Sequence, residues 1–159
     1  MTANDDASGA DRAYKVYKIE NGTVIDHLPA GTALKTIQLL GMQKGELLTV
    51  GMHFDSKHMG KKDIIKVQNR SLSQQDVNKL ALLAPKATIN IIKDASIIEK
   101  KAVELPGRIE GIVKCNNPKC ITNNERNVRT IFSLLRAEPL RLRCHHCERV
   151  MMHDDVVLL

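Results

Sequence analysis

Ser73-Gln74-Gln75-Asp76-Val77-Asn78-Lys79-Leu80-Ala81-Leu82-Leu83-Ala84-Pro85, followed by Lys86-Ala87 and then Thr88-Ile89-Asn90-Ile91-Ile92-Lys93, is one helix–strand unit written in full. Ser73 and Asp76 have capping-box spacing. Val77, Leu80, Leu83 and Ala84 supply an apolar stripe, and Pro85 stops the helix. The isoleucine-rich run from Thr88 to Lys93 reads as the strand that follows.

The same kind of unit stands earlier in the chain. Thr23-Val24-Ile25-Asp26-His27 reads as a strand opened by the Asn21-Gly22 turn and ended by Pro29. Thr32 is placed to cap a helix running to about Leu40, with Leu34, Ile37 and Leu40 at helical spacing. Gly41 and Gly45 bracket a connection, and Leu47–Phe54 and Lys61–Gln68 read as two more strands. Tyr14 to Ile19 is short and β-prone. Strand, helix, strand, strand, helix, strand is the split βαβ order of a ferredoxin-like α/β sandwich. Both helices then cover one sheet face and leave the other open.

Beyond this unit, Asp94-Ala95 reads as a turn, Ile97-Ile98 as an edge strand, and Leu105-Pro106-Gly107 as a boundary. Residues 14–104 and 105–159 are expected as separate domains, preceded by a polar, acidic and disordered leader over residues 1–13. Short β-like runs follow the boundary: Ile109–Lys114, Val128–Leu135, Leu140–Arg143 and Val150–Leu158. Some fifty residues bury too little apolar surface for comfortable independent stability.

The chain's four cysteines all lie there, as Cys115-x4-Cys120 and Cys144-x2-Cys147. Two short-spaced pairs on either side of a hairpin's length of chain surround one tetrahedral zinc ion with thiolates. His145 or His146 could replace a thiolate, but adjacent residues in a tight knuckle rarely all reach one ion. Four thiolates close the coordination sphere, so one structural Zn2+ per chain is expected, staple rather than catalyst. The fold class is therefore α+β, a ferredoxin-like sandwich followed by a small β-rich zinc-binding domain.

Paired thiols in an unexported chain favour metal over disulfide, and the cytoplasm is the default location. No apolar run approaches the roughly 20 residues that cross a bilayer, and the amino terminus lacks a signal peptide's hydrophobic stretch. Formal net charge is +6, which keeps nucleotides, nucleic acid and acidic partners in view. Seven of nine arginines follow residue 102, whereas 13 of 15 lysines precede it.

Residues two apart on a strand share a face. Lys62, Ile64 and Lys66 therefore project together, while Ile65 and Val67 turn inward. Taken alone, that row reads most simply as a strand face kept soluble by lysines. In the ferredoxin-like order the first strand lies beside the third, which brings Asp26 and His27 to the same row. A carboxylate for ribose hydroxyls and cations for phosphate oxygens then share one face. No phosphate-binding glycine loop and no nucleophile with an evident base is present, so an enzyme is not expected.

Gly22-Thr23-Val24-Ile25-Asp26-His27 with Pro29, Met59-Gly60-Lys61-Lys62-Asp63-Ile64-Ile65-Lys66, Leu80-Ala81-Leu82-x-Ala84-Pro85-x-Ala87-Thr88-Ile89-Asn90 and the cysteine tail follow in order. With these the chain resembles the regulatory chain of aspartate carbamoyltransferase over about residues 14–158. The resemblance implies a non-catalytic allosteric subunit of pyrimidine biosynthesis. Its first domain would bind the effectors ATP, CTP and UTP, and its zinc domain would grip the catalytic chain. The family assembles two catalytic trimers with three regulatory dimers. By motif, Asp26 and Lys66 would contact ribose and base, and His27 and Lys100 the phosphates. Lys62 and Asn90 would line the same pocket, while Val16, Ile19, Ile92 and Ile97 would frame the base. Cys115, Cys120, Cys144 and Cys147 would hold zinc, and Asn117 and Glu148 would meet the catalytic chain. Ala95 stands where the family can place an aromatic ring, and Asn116-Asn117-Pro118-Lys119 departs from the family's Pro-Asn order.

A zinc-ribbon nucleic-acid-binding protein is the rival reading, favoured by basic charge and by arginines near the metal. Aromatic content of 3% argues against base stacking, and no basic recognition helix is apparent. Neither a nucleic-acid partner nor a membrane is expected. A metalloenzyme would need an open position that four thiolates do not leave.

Overall fold

A computed structural model describes residues 18–42 and 45–159. The leader (1–13), Val16 and most of the Tyr14–Ile19 run lie outside the described residues. Lys18 and Ile19 belong to no strand.

The first unit is a five-stranded antiparallel sheet: β1 (Gly22–Pro29), β2 (Leu48–Ser56), β3 (Gly60–Gln68), β4 (Thr88–Lys93) and β5 (Ser96–Ala102). Its order is β2-β3-β1-β4-β5. The first four strands carry the ferredoxin-like order, and the expected edge pair Ile97-Ile98 extends into a full fifth strand. Helices α1 (Ala33–Leu39) and α2 (Gln74–Leu83) pack with Ile25, Leu28, Ile65, Val67 and Ile89 into the first core. Asp94 and Ala95 both adopt positive φ, 50° and 59°, the backbone a two-residue hairpin needs between β4 and β5.

Helix α2 begins as its sequence implies. Ser73 Oγ accepts from the Asp76 amide, and the Asp76 carboxylate accepts from the Ser73 amide. Its buried face differs from the expected stripe: Leu80, Ala81 and Leu82 are buried and Leu83 only half so. Leu82 leaves the first core for the second, so α2 serves both. Helix α1 departs further. Leu34 is 60% exposed, and Ala33 and Thr36 are the residues the helix buries completely. Nor does Thr32 cap α1 through its side chain, because its hydroxyl donates back to the Pro29 carbonyl at 2.7 Å. The fully buried Asp63 takes that role: one carboxylate oxygen accepts from the amides of Gly31 (2.8 Å) and Ala33 (3.0 Å).

The Asn21-Gly22 turn signal marks a backbone requirement. Gly22 has φ +143°, and a Cβ there would lie 2.1 Å from the Val67 carbonyl oxygen. That oxygen belongs to the β3 backbone and cannot swing away. Gly22→Ala is expected to cost about 2 kcal/mol or more, read from denaturant midpoints. Gly41→Ala, also at positive φ but facing open space, should cost less. Equal costs would show that the close approach is not the constraint.

The second unit gathers β6 (Arg108–Glu110), β8 (Ile131–Arg136), β9 (Arg141–Cys144) and β10 (Val150–Met152) in the order β10-β9-β8-β6. Beside them, β11 (Val157–Leu158) pairs with β7 (Val113–Lys114). The run expected as one strand over Ile109–Lys114 breaks at Gly111, which has φ +65°. The run over Val150–Leu158 breaks at a 3-10 turn, His153–Asp155. The short helix α3 (Ile121–Asn124) follows the first cysteine pair. Among the described residues no helix is long and apolar enough to cross a membrane.

Candidate functional site

On the open face of the first sheet, cross-strand register sets a row. Thr49 lies opposite Lys66, Lys66 opposite Val24, Val24 opposite Asn90, and Asn90 opposite Lys100. From Lys66 to Lys100 the row crosses three strand spacings, roughly 14 Å. Asp26 sits two residues further along β1, opposite Thr88. Its carboxylate meets the Lys62 ammonium at 2.8 and 3.0 Å, with both side chains mostly buried. Lys62, Ile64 and Lys66 thus share the open face, and Ile65 and Val67 lie in the core.

His27 adopts φ +59° where the β1–β3 register slips between Ile25 and Leu28. Its amide donates to Asp26 Oδ1 at 2.6 Å. Its Nδ1 shares a 3.0 Å hydrogen bond with Thr88 Oγ1 and lies 3.6 Å from Asp26 Oδ2. The bulge therefore keeps His27 against Asp26 instead of sending it to the opposite face, as strict alternation would.

Two features mark this face as electrostatically unfinished. The Lys66 ammonium has a lowered pKa, first because burial disfavours its charge and next because Lys18 is close; Asp26 opposes both. Asn90 is 8% exposed, and its Oδ1 is buried without a hydrogen-bond partner. A buried amide oxygen without a donor costs free energy.

The hydrophobic members are spread toward one end. Ile92 lies opposite Gly22 and Ile97, and Ile97 is 61% exposed. Ile19 is buried beside the β4–β5 turn, where Glu20 O accepts from the Ala95 amide and Asn21 Oδ1 from the Asp94 amide. Asp26, His27, Lys62, Lys66, Asn90, Ile92, Ile97 and Lys100 therefore fall on one face or its margin. Thr88 is not among the expected residues, although it shares a face with Asn90 two positions on.

In the second unit the four cysteine sulfurs lie within 4.8 Å of one another. Cys115 and Cys147 Sγ are 3.6 Å apart, and Cys120 and Cys144 Sγ are 3.9 Å apart. A tetrahedral ion with metal–sulfur bonds of about 2.3 Å has sulfur–sulfur edges of about 3.8 Å, so the cluster fits one. Burial pushes the Cys115 thiol up to about 12 and raises that of Cys144. Burial also acts upward on Cys147, but hydrogen bonds from the Arg149 backbone and the Asn117 side chain, with the neighbouring thiols, bring it down to about 6. A cation at the centre is what would let all four ionise together. Neither His145 nor His146 joins the cluster: His145 is exposed, and His146 Nε2 bonds to the Arg129 carbonyl at 3.0 Å.

The supporting shell is local. Asn123 Nδ2 donates to the carbonyls of Cys115 and Asn117, and Thr122 Oγ1 to Cys120 Sγ. Asn117 Oδ1 accepts from the Lys119 amide. Glu148 is exposed at φ +59°, its amide closing the second knuckle on the Cys144 carbonyl.

Comparison with known sequences joins the two sites. The family model described as aspartate carbamoyltransferase regulatory chain, allosteric domain, matches residues 14–104. The model of that chain's metal binding domain matches residues 107–157. The chain belongs to the aspartate carbamoyltransferase regulatory-chain family. The relative from Pyrococcus abyssi is 50% identical over 146 residues, covering 90% of this chain and 95% of the relative. That from Thermococcus kodakarensis is 51% identical over 144 residues, covering 89% and 94%. The Methanothermobacter thermautotrophicus relative is 44% identical over 143 residues, covering 89% and 92%. All three are named aspartate carbamoyltransferase regulatory chain. The family identifies a regulatory, non-catalytic subunit whose second unit is a metal-binding domain.

Proposed function

We propose that this chain senses nucleoside triphosphates on the open sheet face of residues 14–104 and passes their binding to catalytic chains gripped by residues 105–159. The observation that carries this reading is the orphaned Asn90 amide oxygen, set in a row with Lys66 and Lys100 on that face. The Asp26 carboxylate suits ribose hydroxyls, and the orphaned Asn90 amide suits a base or sugar donor. Lys66 has its pKa lowered by burial and by Lys18, so an incoming phosphate would relieve it. Lys100 supplies further positive charge for the phosphates, the His27 ring can hydrogen-bond to them, and Lys62 holds Asp26 in place. Ile19, Ile92 and Ile97 offer apolar surface at the base end, as would Val16.

ATP, CTP and UTP are the proposed effectors. Any shift they cause must come from differential affinity for two quaternary states. In that assembly the chain pairs with itself as a regulatory dimer, Zn2+ occupies the four-thiolate cluster, and Asn117 and Glu148 lie toward the catalytic chain. The cytoplasm is its proposed compartment.

Lys100→Ala tests the effector site. It is expected to weaken nucleotide binding at least about tenfold, the scale of one charge-assisted phosphate contact, and to leave assembly intact. Calorimetry with ATP and CTP reads the first, and co-purification with the catalytic chain the second. Unchanged affinity would overturn the site assignment. Activity of the assembled complex with and without ATP, CTP and UTP then tests transmission.

A further inference from the structure

Away from the open sheet face but bordering the metal loop, the chain carries a groove of 710 Å³, within the range that holds small ligands. It opens between α3, the turn joining β6 to β7, and the segment leading into β8. Gln75 of α2 also lines it, so the groove touches both units. Three cations line it from two stretches of chain: Lys114 on β7, and Arg126 and Arg129 ahead of β8. None of their charged groups makes an ion pair or side-chain hydrogen bond among the described residues. Of the two acidic side chains along the wall, that of Glu110 is already taken by the Arg108 guanidinium. Glu125, with the terminal residue Leu159 also lining the groove, stands against three cations that have no ion-pair partner among the described residues.

Thr130 is the second, independent observation. It lines the same groove, is 5% exposed, and its hydroxyl has no hydrogen-bond partner. Buried hydroxyls are nearly always paired, because an unmade bond there costs free energy. Asn123, which lines the wall, is held by donating to the Cys115 and Asn117 carbonyls. The His146 ring holds the Arg129 carbonyl from the other side.

We infer that this groove is a second anion site, for a small ligand carrying phosphate or carboxylate oxygens. Two guanidiniums and an ammonium match oxyanion geometry. The polar lining and the 710 Å³ volume suit a small molecule. Because α3 and its asparagines are anchored to the metal loop, the site should form only in the metal-loaded chain.

The test is a titration of the 15N-labelled, metal-loaded full chain, with pyrophosphate and succinate as probes. Backbone signals of Gly111, Arg129 and Thr130 are expected to shift saturably in the millimolar range or tighter. A response to pyrophosphate alone assigns phosphate ligands, and an equal response to succinate assigns carboxylates; either supports the site. The Arg126→Gln/Arg129→Gln pair, and separately Lys114→Gln, should weaken binding at least about tenfold while Lys66 and Asn90 signals respond as before. No saturable shift at the groove, or a shift indifferent to these substitutions, would overturn the proposal. So would a double variant that loses the catalytic chain without any change in anion binding, since the groove would then belong to a protein interface.

Discussion

Asp63→Ala is expected to remove about 3–5 kcal/mol from the stability of the first unit, a large share of the roughly 5–15 kcal/mol that an ordinary domain has. Asp63 is fully buried in β3. One oxygen accepts from Gly31 and Ala33, and the other from the His53 amide at 3.0 Å. His53 has φ +59° at the point where β2 slips register against β3. A single carboxylate therefore serves the entrance of α1 and the bulge of β2. Alanine would leave three backbone donors, the buried Ala33 amide among them, without this acceptor. Asparagine would keep one acceptor but turn its NH2 toward backbone amides on the other side, so Asp63→Asn should still cost about 2 kcal/mol. Asp76→Ala, at a half-buried position, breaks the capping box of α2 and should cost only about 1 kcal/mol. Urea denaturation followed by circular dichroism ranks the three. An Asp63→Ala loss no larger than that of Asp76→Ala would show that water replaces the carboxylate and that the site is not closed.

The effects of Asp63 reach beyond stability. Its neighbours in β3, Lys62 and Ile64, lie on the opposite face beside Asp26. The alternation that buries Asp63 is what presents Lys62. Loosening the β2 bulge would blur the proposed effector face without touching any residue proposed to contact a ligand.

How legible this was in the sequence depends on the range of each interaction. Strand alternation and the capping box are local, so the Lys62–Lys66 face and the start of α2 could be read directly. The face of α1 could not, because Leu34 fits a helical stripe as well as Ala33 does. What decides between them is where β1 and β3 lie, which is a tertiary matter. Thr32 shows the same limit: its side chain suits a cap, but Asp63, some thirty residues away, reaches the amides first. Asp63 itself carried a signal, since it alternates with Ile65 and Val67, and only an acceptor for several amides explains a carboxylate there. The breaks at Gly111 and at His153–Asp155 were hidden because short apolar runs do not show where a two-residue strand stops. The unpaired hydroxyl of Thr130 had no sequence signal at all.

Metal removal is expected to have the largest effect, and to act on the second unit first. Its core holds Ile109, Ile112, Val113, Phe132, Leu142 and Met151 around the buried Cys115, Cys120 and Cys144. Three of the four clustered cysteines are thus core residues, and a metal held by them would sit where a larger domain would have more side chains. Structural zinc in small domains contributes apparent binding free energies of about 10–16 kcal/mol near neutral pH, more than so small a core can replace. Chelation, or Cys144→Ser, should therefore unfold this unit and release the catalytic chain while nucleotide binding persists. Acid should act in the same direction, because protons compete for thiolates: Cys115, pushed up to about 12 without metal, takes its proton back as pH falls. Leu82 predicts where the damage spreads. It is the residue of α2 buried in the second core, so α2 should lose amide-exchange protection on chelation before the β1–β3 pairs do. Exchange measured with and without chelator, alongside co-purification and calorimetry, reads all three consequences. A stripped chain that still joins the full assembly would mean the cluster does not hold the interface. A stripped chain that loses nucleotide binding at the same rate would mean the two units fold as one, with Leu82 as the joint.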